Sequence, residues 1–248
     1  MTSAPVLRPK RAFVVFLAFL AAQLVVGASI GFGGGLWYVL TYGPGPHVAA
    51  NVQRAVMVPA VLAGEIIGGI VAFRMTRRTL SGPIGSGALL SIGWSRARAR
   101  DVLLASSAGV ALALLYLFGL VAGSRPSPGH EWGPLAAAVS SGGWPLHAWA
   151  VLALVVAPPV EEFVFRGVLF TGLRQSWSLG SAGAFVLLLF VAAHFSEIAS
   201  YGPAVIGVAL VGGATLVARI ATRSLVPAIA LHASYNLCLV VVTYLSAV

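Results

Sequence analysis

Glu161, Glu162 and Arg166 lie in the run from Pro158 to Gly167, inside a stretch that is otherwise apolar for many residues on either side. An ionisable side chain at bilayer depth is costly and marks a functional site by default. Glu162 and Arg166 are four apart, so on a helix they share a face and can pair. Glu161 is turned about 100° away from Glu162. The run therefore offers one neutralised carboxylate and one free one. A structural ion pair between two helices would account for Glu162 and Arg166 but gives no reason for Glu161. Pro158 and Pro159 withhold two backbone donors just before the carboxylates. Such a break at membrane depth is tolerated where backbone is buried in protein or lines a wet cavity.

Three more polar groups fall in the apolar second half. His194 closes the stretch Phe190 to His194, and His232 and Asn236 are four apart on one face of the last apolar run. Lipid gives neither member of that pair a partner, so both must face inward. Tyr235 beside them reads as packing or as an interfacial ring. A free carboxylate, two imidazoles and an amide from three helices have the chemistry of water activation. The carboxylate and imidazole serve as base or as metal ligands, and an imidazole and amide steady an oxyanion. Glu65, flanked by Gly64 and Gly68 in an earlier apolar run, is either protonated, paired with an arginine such as Arg54, or part of the same cavity.

The elements that must position these groups follow from composition. The 248 residues are 59% hydrophobic and 8% charged, and mean hydropathy is +0.96. A soluble domain carries about 25% charged residues. The chain reads as an all-α, polytopic membrane helix bundle of about seven transmembrane helices. Its net charge of +9 would suit a nucleic-acid binder, but the basic residues gather in particular inter-helix loops, which is how membrane proteins mark their cytoplasmic side. We expect no nucleic-acid partner; the partners are the lipid bilayer and a membrane-associated protein or peptide. The lone cysteine, Cys238, has no internal disulfide partner and reads as a small packed residue.

Spans are expected near 12–42, 52–73, 102–122, 147–173, 179–194, 203–220 and from 225 onward. The first follows Arg8, Lys10 and Arg11 as a signal peptide would, but is too long for one and is read as retained. Gly27, Gly31 and Gly35 in it have the spacing of a helix-packing face. The 74–101 loop holds six arginines against Asp101, and its 81–87 stretch is Gly/Ser/Pro-rich. Arginine asymmetry puts the N-terminus, this loop, Arg174 and Arg219/Arg223 on the cytoplasmic side, in a bacterial plasma membrane. Residues 1–123 form an N-terminal group of spans and 145–245 a second bundle. One depth mismatch arises. His232 lies about 10 Å from the cytoplasmic end of its helix and His194 about 22 Å from that of its own.

Glu161-Glu162-x-x-x-Arg166, Phe190-x-x-x-His194 and His232-x-x-x-Asn236 resemble, in order and spacing, the three motifs of the CPBP family, which holds the type II CAAX prenyl proteases and the bacterial Abi or bacteriocin-immunity proteins. The resemblance covers about 145–245. It implies an intramembrane endopeptidase in which Glu161 and His194 activate water, His232 and Asn236 stabilise the oxyanion, and Glu162 and Arg166 hold the frame. The family is described both as a metalloprotease and as glutamate-dependent without metal. Glu161, His194 and His232 supply three zinc-ligand types, though the HExxH helix of common zinc proteases is absent. The competing class is a non-enzymatic transporter or immunity scaffold. It would need a chain of polar groups crossing the membrane, where a protease needs Glu161 and His194 to share one water.

Overall fold

The computed structural model describes residues 7–45, 48–80, 87–123 and 143–246. The expected 81–87 loop and the Pro/Gly/Ser-rich 123–145 connection therefore fall largely outside the described residues. What is described is helical. The elements are α1 (Pro9–Tyr42), α2 (Val48–Leu80), the short α3 (Gly87–Ser91), α4 (Ala99–Gly123), α5 (Trp144–Leu173), α6 (Leu179–Ala193), α7 (Phe195–Ser200), α8 (Ala204–Thr222) and α9 (Leu225–Ser246). Six of them are long and apolar enough to cross a membrane. The seventh expected span is α6, whose 15 residues rise only about 22 Å.

Large apolar side chains face outward along the long helices, among them Leu24, Phe32, Leu103, Phe118 and Val217, while Glu162 and Arg166 are fully buried. That inversion of the soluble pattern is what a lipid surround selects. The chain is an integral membrane protein.

The bundle is built around α5. The first turns of α1 pack on its end, with Ala12 against Gly172 and Phe16 edge-on to Phe165 at 5.4 Å. On α2, Gly69 receives Val160 and Phe73 meets Phe163 at 5.9 Å. Phe190 of α6 stands edge-on to Phe165 at 5.2 Å, and α8 brings Gly212 against Phe190. Helix α9 lies between α5 and α4, where Gly109 lets α4 approach the Leu231 carbonyl. The Gly27/Gly31 face does not carry such packing: a Cβ at either would meet nothing within 4 Å among the described residues. Close approach of α1 and α2 runs instead through Gly34 against Val56 and through Gly64 and Gly68 against Gln23 and Phe19. Tyr235 is buried packing beside Tyr116, and Cys238 is a free, partly buried residue at the core.

Part of the arginine-rich loop is structural. Ile92 is buried, and Gly93, at φ +91°, packs under the Arg219 guanidinium. Its carbonyl accepts from Leu225 N–H at 2.8 Å, and Ser224 donates to the Ser95 carbonyl at 2.7 Å. This turn covers the start of α9, which begins inside the bundle: Leu225 and Ser224 are buried. Leu225 lies level with Gly167, where a Cβ would be 3.2 Å from its Cδ1. That brings His232 to the depth of Glu161. Six residues back from Gly167 is Glu161, about 9 Å, and seven on from Leu225 is His232, about 10 Å.

Candidate active site

The prolines do not break α5. Ala157 N–H bonds to Leu152 O and Phe170 N–H to Phe165 O, both five residues back, so two stretches, Leu152–Val156 and Glu162–Leu169, are π-helical. Such widened turns recur at functional sites. The first follows from Pro158. In the five-residue register its missing N–H would have served the Ala153 carbonyl. Asn236 on α9 takes that role, its Nδ2 donating to Ala153 O at 2.8 Å. The amide expected to face a substrate thus also locks α9 to α5.

The two carboxylates separate as expected. Glu162 Oε1 lies 3.2 Å from Arg166 Nη1, with both side chains wholly buried. Arg166 is held further by Gly212 O, to which Nη2 donates at 2.6 Å, and by the Phe190 face 4.2 Å from its guanidinium carbon. The same Glu162 oxygen accepts from His232 Nδ1 at 3.1 Å, a contact the motif spacing did not reveal. It turns Nε2 of His232 toward Glu161.

His194 stands where α6 ends. Its Nδ1 donates to the Phe190 carbonyl at 2.8 Å, satisfying an acceptor that the helix terminus leaves open. Its Nε2 is therefore the nitrogen that faces α5. Glu161 Oε2 lies 3.8 Å from His194 Nε2 and 4.0 Å from His232 Nε2. That oxygen is buried and has no hydrogen-bond partner. Side-chain exposure falls from 23% at His194 to 14% at Glu161, 5% at His232 and none at Glu162. Glu161 is thus the less enclosed of the two carboxylates, and Glu162 is sealed. Phe190 is the wall common to the cluster, 4.6 Å from the His194 ring and 6.1 Å from that of His232.

These donors have zinc-ligand chemistry, and each imidazole has its other nitrogen anchored in the way that orients metal-bound histidines. Their spacing is wider than a closed shell: tetrahedral zinc ligands stand about 3.3 Å apart, against the 3.8 and 4.0 Å here. No group of three or more His, Cys, Asp or Glu among the described residues is placed to hold a metal ion.

Glu65 comes close enough to Glu161 for their charges to interact. It is buried, and its partner is Gln23 of α1, whose Nε2 donates to Oε2; Oε1 is unpartnered. The Arg54 side chain, one of the alternatives the sequence offered for Glu65, lies outside the described residues. Gln23 was not anticipated, although an amide in the middle of an apolar helix is itself a signal.

Residues 143–238 match the family described as Rce1-like, type II CAAX prenyl endopeptidase. No curated protein and no solved structure matches the chain.

Proposed function

Because residues 143–238 match the Rce1-like type II CAAX prenyl endopeptidase family, we propose that the chain is an intramembrane endopeptidase in which Glu161 is the general base, working with His194 on one water. The observation that carries this is the unpartnered Glu161 Oε2 facing both ring nitrogens at 3.8 and 4.0 Å. One water hydrogen-bonded to oxygen and nitrogen at about 2.8 Å each bridges such a gap. Glu161 takes a proton from that water as its oxygen attacks the scissile carbonyl. The C–N bond then breaks and the proton passes to the leaving amine, restoring the carboxylate. His232, when protonated at Nε2, and the Asn236 amide donate to the oxyanion. Glu162 and Arg166 act through position. They fix the His232 tautomer and hold α5 against α8.

The substrate is a membrane-associated protein or peptide. A proton relay would need a chain of polar groups crossing the membrane; from Glu161 the described polar side chains lead on to Glu65 and its partner Gln23, whereas a protease needs the shared water that the Glu161 and His194 geometry supports. The test is hydrolysis by the full chain in proteoliposomes, offered lipidated and unlipidated C-terminal peptides in ¹⁸O-water. Mass spectrometry should find ¹⁸O in the new carboxylate. Glu161→Gln should insert and melt like the parent while cleavage falls by about 10²–10⁴-fold. Full cleavage by Glu161→Gln would remove the base assignment.

A further inference from the structure

A groove of about 610 Å³ runs between α2 and α5. Its α2 wall is one helical stripe of spacing three and four, which changes character along its length. Ile66, Gly69, Ile70 and Phe73 come first, then Arg74, Arg77 and Arg78; Val156 and Val160 form the opposite wall. The apolar part rises about 10 Å and the basic part occupies the next turn. Ile66, Ile70, Phe73 and the three arginines are exposed.

Two features decide what fits. The apolar part has no polar side chain, so a peptide backbone laid in it would leave its N–H and C=O groups unsatisfied. A hydrocarbon tail has no such groups. At the other end Arg74 and Arg78 stand four apart on one face, a like-charge arrangement that an anion would relieve. Arg74 and Arg78 form no ion pair among the described residues, while Arg77 leans toward the Phe73 ring at 5.8 Å. Guanidinium groups bind phosphate with two donors each. Basic pockets between membrane helices take anionic head groups.

We propose that this groove is a binding site for one anionic phospholipid of the surrounding bilayer. Its phosphate lies among Arg74, Arg77 and Arg78, and one acyl chain lies along Ile70 and Ile66 against Val156. Val160, which closes the inner wall by packing on Gly69, is the residue before Glu161. The lipid therefore braces the contact of α2 with the helix that carries the carboxylates.

The test uses the full chain in vesicles of phosphatidylcholine with spin-labelled phosphatidylglycerol or spin-labelled phosphatidylcholine, and native mass spectrometry of detergent extracts. The parent should retain one phosphatidylglycerol in preference to phosphatidylcholine. Ile70→Trp fills the groove and leaves all arginines in place; it should lower that retention about tenfold, as should the triple change Arg74→Gln, Arg77→Gln, Arg78→Gln. If the triple variant fails to insert, Ile70→Trp and Ile66→Trp carry the test, since both sites are exposed. Equal retention of the two lipids by the parent would overturn the proposal. So would an unchanged preference in the tryptophan variants, because the arginines would then act only as a surface field. Loss of peptide cleavage in these variants with lipid retention unchanged would overturn it too, by assigning the groove to substrate.

Discussion

Replacing Glu162 by Gln should be among the most destabilising single changes in the bundle, and a second change at Arg166 should then add clearly less than it costs on its own. Both side chains are wholly buried and 3.2 Å apart. Breaking a buried pair by removing one partner costs about 3–5 kcal/mol, because an uncompensated charge remains. Arginine cannot shed its proton to escape that cost. After Glu162→Gln the guanidinium keeps the Gly212 carbonyl and the Phe190 face, worth together about 3 kcal/mol, with the Phe165 ring at 6.0 Å and a longer-range attraction to Glu161. Those contacts exist in the parent as well, so they offset nothing. Arg166→Gln leaves the opposite orphan, a carboxylate whose remaining partner is His232 Nδ1. In Glu162→Gln with Arg166→Gln the pair is removed whole, and the new amide can still accept from His232. The double variant should then be less destabilised than the sum of the singles by about 2 kcal/mol or more. The assay is a double-mutant cycle from unfolding in mixed micelles, with expression level as a check on insertion. Singles that cost under about 1 kcal/mol and add within about 0.5 kcal/mol would refute the claim that this pair is a closed, desolvated unit.

Two further outcomes follow from single contacts. Asn236→Ala strips the Ala153 carbonyl of its donor, a loss of about 1–3 kcal/mol; adding Pro158→Ala restores a backbone N–H in the five-residue register and should recover about 1 kcal/mol in micelle unfolding without restoring cleavage. Glu65→Gln should melt near the parent because Gln23 keeps an acceptor, while Glu65→Leu leaves that partly buried amide unpaired and should unfold about 1 kcal/mol more easily.

Much of the site was legible because lipid removes ambiguity. A polar side chain at depth must find a partner, so Glu161, Glu162, Arg166, His194, His232 and Asn236 stood out, and helical spacing sorted Glu162 toward Arg166. What spacing could not supply was anything set by another helix's depth. The His232–Glu162 bond requires α9 to start level with Gly167, and that depends on the Ile92–Ser95 turn folding over Leu225. Nothing local to residues 225–236 encodes it. The glycine spacing in α1 misled for the opposite reason: a pattern that permits close packing does not say that a neighbour is present, and among the described residues a Cβ at Gly27 or Gly31 would meet nothing within 4 Å.

The proline pair shows how sequence and geometry join. Read alone, Pro158 and Pro159 forecast a break in the helix. The structure keeps the helix and shifts its register, and the Ala153 carbonyl is claimed by a donor from another helix. That donor is on the same face of α9 as His232, so the defect created by Pro158 recruits the helix that brings an imidazole to Glu161. The second π-helical stretch begins at Glu162 itself. Glu161 thus sits on the short α-helical turn between two widened ones, with its neighbour turned inward to Arg166 and His232. Two chemically identical residues acquire different surroundings through backbone register and partner helices: one is sealed against Arg166, the other partly exposed and facing two imidazoles.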